Sequence, residues 1–144
     1  EMRHVRPTGK DQIRASSEAA ARRARFAIDG DPGTWWHTNF TPMPVPPPHE
    51  LVIDLGSDVE VRGFRYLPRQ DQSWNGVVGR YEFSVSKSPD EFGSPVAQGE
   101  FPKSREPQEA TCPPTRGRYV QFRIVSSATG GPWGSVAELG VIGQ

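Results

Sequence analysis

The sequence predicts an all-β protein, an antiparallel β-sandwich with at most one short N-terminal helix. Several runs alternate apolar and polar residues with period two, the pattern of strands that bury one face. With 15 Gly and 15 Pro in 144 residues, helices are interrupted and turns recur at short intervals. No helical repeat separates the strand-like runs, which argues against a parallel sheet built from strand–helix–strand units.

Taken in order, residues 1–11 are polar and without period and read as an extended lead-in, with an edge strand over 12–15. Ser16-Ser17-Glu18 followed by Ala19-Ala20-Ala21 reads as a capped helix start, since serine hydroxyls accept from the first free N–H groups. That helix is brief, because Asp29-Gly30-Asp31-Pro32 ends it. Residues 41–48, with Pro42, Pro44, Pro46, Pro47 and Pro48, suit only a polyproline-like surface loop. Strands follow over 50–56, 59–67, 80–86, 118–125 and 136–142, with weaker ones over 95–101 and 108–112. Their inward positions give a predicted core of Val52, Ile53, Leu55, Val61, Phe64, Tyr66, Phe83, Val85, Val120, Phe122, Ile124, Leu139 and Val141.

The length suits a single domain over 1–144, with its core in about 12–143. Lys plus Arg and Asp plus Glu are both 17, so no concentrated basic surface points to nucleic acid or an anionic membrane. The one basic cluster, Arg22-Arg23-Ala24-Arg25, reads as solvated surface. A single cysteine, Cys112, excludes an internal disulfide and a cysteine metal cluster and reads as a small core residue. No stretch has the apolar length of a membrane-spanning helix. No leader is recognisable, so a mature product or a domain of a longer protein is expected.

The chemistry concentrates around residues 27–38. Asp29, Asp31 and Thr34 offer oxygen atoms at short alternating spacing, which suits a hard cation such as calcium. A metal-free hydrogen-bonded turn uses the same residue types, and both readings stand at this point. Trp35 and Trp36 read as core residues that hold the turn. His37 is either a buried histidine bonded to backbone or a group held still for a ligand. In the loop after residue 66, Arg69 brings a rigid fork of donors and Asn75 both donor and acceptor, while Asn75-Gly76 makes a tight turn. Arg69 by itself reads as a surface ion-pair donor, and Trp74 as either a rim contact or a cover over the sandwich end. Gly130-Gly131-Pro132-Trp133-Gly134 sets an indole on a loop tip. Sugars have an apolar C–H face and a hydroxyl edge, so a site for them wants an aromatic plate and a few fixed polar groups. Catalysis is the weaker reading. Beyond His4, His37 and His49 there is no nucleophile elbow, no zinc-like spacing and no carboxylate pair marked as special.

The set Asp29-Gly30-Asp31-Pro32-x-Thr34-x-Trp36-His37-Thr38, Tyr66-Leu67-Pro68-Arg69-Gln70-Asp71 with Asn75-Gly76, Arg118-Tyr119-Val120 and Ala137-Glu138-Leu139 resembles the F5/8 type C (discoidin) superfamily. The likeness is closest to family 32 carbohydrate-binding modules and runs over about 16–142. It implies a galactose-binding-domain-like jelly roll with one structural calcium. That ion would be held by the carbonyls of Phe26 and Ala137 with Asp29, Asp31, Thr34 and Glu138. Without the disulfide that joins the termini in many animal relatives, the chain would depend on it more. The resemblance also implies a sugar site of His37, Arg69 and Asn75 with Trp133 as stacking plate, and Glu18 and Phe40 at the rim. His37 and Arg69 would contact the axial 4-hydroxyl that separates galactose from glucose. The expected function is a non-catalytic carbohydrate-binding module for terminal galactose or N-acetylgalactosamine. It would be a monomeric domain tethered to a secreted or extracellular glycoside-active enzyme. A discoidin-type adhesion module for protein or phospholipid ranks second, because the loops are polar and the charge is balanced. A free-standing hydrolase ranks third.

Overall fold

The computed structural model describes residues 3–5 and 12–143, the first three by backbone alone. The period-two runs form β1 (Arg3–Val5), β2 (Ile13–Ala15), β3 (Trp36–His37), β4 (His49–Leu67), β5 (Arg80–Ser86), β6 (Ala97–Glu100), β7 (Gln108–Ile124), β8 (Ser135–Val136) and β9 (Glu138–Gly143). Every pairing is antiparallel. One sheet runs β1-β9-β4-β7-β5-β6 with β2 added beside β4, and β3 and β8 form a separate two-stranded ribbon. The predicted antiparallel architecture is the one found.

Two long strands make the sandwich. The first part of β4 pairs with β2 through Leu51, Val52 and Ile53, and its last part pairs with β9 from Val61 to Leu67. β7 accompanies both parts, and the register shifts between Asp54 and Val59, where Gly56 takes φ +87°. Side chains from both parts close on one core that includes Leu51, Ile53, Phe64, Tyr66, Phe83, Phe122 and Ile124. Phe64 is at its centre, with ring centroids 4.6 Å from Phe83, 5.2 Å from Phe122 and 5.3 Å from Tyr81.

Several expectations are corrected. The helix begun at Ser16 does not form. In its place are an isolated bridge between Ala19 and Arg22 and a single 3-10 turn, Ala24–Ala27. The serine hydroxyls are spent on distant segments: Ser16 Oγ accepts from Glu50 N at 2.9 Å and Ser17 Oγ from Asn39 N at 3.1 Å. A capping serine bonded across the fold no longer favours a local helix. The runs 50–56 and 59–67 are one strand, as are 108–112 and 118–125. Pro113-Pro114, which lack N–H donors, are accommodated where the register against β4 shifts, with Thr111 opposite Gly63 and Thr115 opposite Val61. Conversely, the closing run divides at Ala137, whose N–H donates to Leu67 O at 2.9 Å as the chain leaves β3 for β4. Val85 is only half-buried and Val52 is buried outside the main core, while Trp36, Leu51, Val77, Val78, Tyr81, Phe101 and Val136 are core residues that alternation did not single out. Cys112 is half-buried against the core, and burial pushes its thiol pKa up, so it is a packing residue as expected. Residues 41–48 form the predicted exposed loop. The part of the lead-in outside β1 lies beyond the described residues.

Because Phe64 touches four other aromatic rings, Phe64→Ala should destabilise the domain by about 3–5 kcal/mol. Urea titration followed by tryptophan fluorescence measures this, and a loss below about 1 kcal/mol would contradict the central role given to that ring.

Candidate functional site

The β3–β8 ribbon is only two rungs long, Trp36 opposite Val136 and His37 opposite Ser135. Thr38 N donates to Gly134 O at 2.9 Å and Gly134 N to Thr38 Oγ1 at 3.1 Å, which extends it by one position. Strand alternation then sorts the side chains. Trp36 is fully buried in the core, while Trp35 and His37 emerge on the other face and line an open cleft of about 850 Å³. The cleft also takes in Asn39, Phe40, Arg69, Asn75 and Trp133.

His37 is 6 % exposed, and its Nδ1 lies 2.7 Å from Thr38 O. A carbonyl only accepts, so Nδ1 carries the proton and Nε2 is left as the acceptor of the ring. Burial lowers the His37 pKa, opposed by that backbone bond and reinforced by the positive charges of Arg69 and Arg22. The imidazole is therefore neutral at neutral pH. Phe40 meets it edge-on at 5.3 Å and remains 47 % exposed.

Arg69 is a buried side chain, contrary to the surface reading. Nε and Nη2 each donate to Asp71 at 2.8 Å, and Nη1 donates to Asn75 O at 3.0 Å. The hydrogen bond from Arg69 holds the Asp71 carboxyl below the usual carboxylate range. Ser135 Oγ also donates to Asn75 O, and Asn75 N donates to Ser73 Oγ. With its backbone held at both ends, Asn75 is an exposed residue that lines the cleft. The turn depends on Gly76, at φ +83°, where a Cβ would fall 2.7 Å from the Gly134 carbonyl carbon. Tyr66 hydroxyl, accepting from Val78 N at 3.0 Å, braces the same loop from below. Arg105 binds the loop from outside through Arg69 O and Ser73 O.

Five of the six sugar-site residues expected from the sequence thus share one cleft: His37, Arg69, Asn75, Trp133 and Phe40. Glu18 is not among the lining residues. Its carboxylate accepts from Ala24 N at 2.8 Å and lies 3.7 Å from Arg23, a structural role in the connection after β2. Trp133 packs over Gly131, where a Cβ would meet the indole at 2.8 Å. Trp74 covers the loop end under Arg105, 3.7 Å from its ring, and Lys103, and does not line the cleft. Sequence reasoning missed Trp35 and Arg22 as lining residues, with Ala19, Ala20 and Ala21 beside them. The alternation Trp35, Trp36, His37 would have placed Trp35 on the His37 side.

Of the expected metal residues, Asp29, Asp31 and Thr34 form the turn before β3. Asp31 N donates to Asp29 Oδ1, Gly33 N to Asp31 Oδ1, and Thr34 Oγ1 to Asp29 Oδ2. Across the chain, Gly30 N donates to Glu138 Oε2 at 2.9 Å, so Glu138 at the head of β9 reaches this turn. Among the described residues, no three His, Cys, Asp or Glu side chains are disposed to hold a metal ion by themselves. The side-chain donors gathered at this turn are oxygen atoms only, the type a hard cation takes.

Galactose oxidase of Gibberella zeae is 35% identical over 130 residues, covering 90% of this chain and 19% of that protein. A sialidase of Micromonospora viridifaciens is 38% identical over 143 residues, covering 93% and 22%. The chain therefore spans about a fifth of the length of these relatives. Among solved structures, CpGH89CBM32-5 from Clostridium perfringens, in complex with GalNAc-β-1,3-galactose, superposes with TM-score 0.84 at 30% identity, over 90% of this chain and 93% of that one. The family 32 module of NanJ from the same organism, in complex with galactose, gives 0.80 at 27% identity over 90% and 91%. The F5/8 type C domain matches residues 12–139, nearly all of the described sandwich. The chain belongs to the F5/8 type C domain family, with the fold of family 32 carbohydrate-binding modules.

Proposed function

We propose that the chain is a carbohydrate-binding module for terminal galactose or N-acetylgalactosamine, and that it holds an attached glycoside-active enzyme, extracellular and otherwise monomeric, near its glycans. The observation that carries this reading is the meeting, in one cleft, of a neutral acceptor at His37, a fixed cation at Arg69, a free amide at Asn75 and the Trp133 plate. Ground-state recognition of a polyol needs this set: hydroxyls donate to Nε2 of His37, accept from Arg69 and exchange both bonds with Asn75, while the C–H face lies on an indole. The galactose and N-acetylgalactosamine bound by the structural neighbours agree with it. A few hydrogen bonds that replace bonds to water give modest affinity, with a dissociation constant on the order of 0.1–1 mM.

Calorimetric titration tests this directly. Galactose and N-acetylgalactosamine should bind saturably and glucose should not; no heat from either of the first two would reject the reading. His37→Ala should weaken galactose at least about tenfold, the scale of a lost hydrogen bond together with poorer packing. Arg69→Ala should also lose binding, but it leaves Asp71 without its cation and should lower the melting temperature as well. The two substitutions are therefore distinguishable.

The pH dependence follows from the same ring. The His37 and His49 pKa values lie below their usual 6.5 because of burial, so at neutral pH both are uncharged in the folded and unfolded states. As pH falls below about 6.5 the unfolded chain takes up protons first, and stability declines until the lowered folded pKa is passed. Galactose affinity should be flat from pH 8 to 6.5. It should fall in more acid solution, as Nε2 of His37 becomes a donor. Affinity that rises on acidification would contradict the assigned tautomer.

We also propose that the turn carries a structural calcium, held by Asp29, Asp31, Thr34, Glu138 and the carbonyls of Phe26 and Ala137. The ion would supply charge neutralisation and a tie between the turn and β9. At a concentration a hundred times its dissociation constant, calcium should stabilise the fold by about 2.7 kcal/mol. Equal melting temperatures in calcium and in chelator would reject the site, and Asp29→Asn should reduce the calcium-dependent rise.

A further inference from the structure

The cleft holds a positive charge for which galactose recognition has no use. Two arginines line the cleft, and one of them is answered by an acid, Arg69 by two bonds to Asp71. The guanidinium of Arg22 forms no ion pair and donates no hydrogen bond among the described residues; it lies 3.9 Å above the indole of Trp35. Stacking occupies only the face of the guanidinium, and all five N–H donors lie in its plane and stay available.

The position is fixed by backbone bonds. Arg22 N donates to Ala19 O at 3.0 Å, and Arg22 O accepts from His37 N at 3.2 Å, so the residue is tied to the strand that presents the principal acceptor. Arg22 is also half-buried, which limits solvent screening of its charge. Among the described residues, no aspartate or glutamate lines the cleft. Arg69 lies 4.8 Å from the same Trp35 ring, and the charges of both arginines press the His37 pKa downward. An uncharged hydroxyl would leave this field unused, whereas an anionic oxygen pair would accept bidentate bonds from Arg22.

Building on the galactose reading, we propose that the preferred ligand is an anionic glycan whose galactose unit or its neighbour bears a carboxylate or sulfate, recognised by Arg22. Charge-assisted bonds to a planar fork are about twice as strong as neutral ones. The anionic ligand should therefore bind roughly tenfold tighter than galactose.

Titration of the whole chain with galactose, galacturonic acid, galactose 3-sulfate and galactose 6-sulfate tests this, in wild type and in Arg22→Gln, at low and high salt. At least one anionic sugar should show the tenfold advantage at low salt. The advantage should shrink several-fold at high salt and disappear in Arg22→Gln, because that substitution weakens the anionic sugar several-fold more than it weakens galactose. Which anionic sugar gains identifies carboxylate or sulfate as the partner. If no anionic sugar exceeds galactose, if the advantage survives Arg22→Gln, or if that substitution weakens galactose equally, the assignment to Arg22 is overturned and the galactose site stands. If the wild type binds none of the four, the galactose reading falls together with it.

Discussion

The site depends on a ribbon of two residue pairs. Trp36 opposite Val136 and His37 opposite Ser135 are what join the early turn to the chain's end. A two-stranded ribbon this short has little stability by itself. Its hold comes from Trp36 and Val136, both fully buried, each contributing on the order of 2 kcal/mol or more in apolar burial. The same alternation that sends Trp36 inward sends Trp35 and His37 outward, so core packing and ligand presentation are two faces of one strand. Ser135 then passes the constraint to a third loop through its bond to Asn75 O. A shift of one residue in this ribbon would exchange Trp36 and His37 and destroy core and site together.

Electrostatics divides the arginines by role. Arg69 is 8 % exposed and would be costly to bury alone, but Asp71 and Asn75 O occupy its donors on one side and fix the plane of the guanidinium. It acts as a rigid, largely neutralised wall. Arg22 has the opposite character: a stacked cation whose hydrogen-bonding edge is unspent. Two arginines against one indole would be repulsive without Asp71, so the neutralisation of one permits the exposure of the other.

Much of this was legible in the chain. Period-two alternation located the strands because half-buried sheets impose it, and the motif set around Asp29, His37, Arg69 and Asn75 anticipated residues that the fold brings into two neighbouring groups. Other features depended on tertiary partners. Ser16 and Ser17 look like helix caps until Glu50 and Asn39 take their oxygens. Arg69 looks like a surface ion-pair donor until Asp71, two positions away, closes over it. Arg22 sits in a basic cluster that reads as solvated, and only the bridge to Ala19 and the proximity of His37 turn it toward the cleft. Glu18 had the right chemistry for a rim position but is held by Ala24 N.

The cleft is built to lose little entropy on binding. His37 has its orientation set by Thr38 O and Arg69 by three bonds, and the Asn75 backbone is fixed by bonds to its N–H and C=O. Ordering a mobile side chain costs about 0.5–1.5 kcal/mol each on association, and here most of that cost is met during folding. The rim is handled in the same way, by a loop rich in prolines that have little backbone freedom to lose. What remains for a small sugar is a handful of hydrogen bonds exchanged with water, each worth about 1 kcal/mol net. Preorganisation of this kind sharpens the distinction between epimers more than it raises affinity, because a hydroxyl in the wrong position leaves a fixed acceptor or donor desolvated and unpaired.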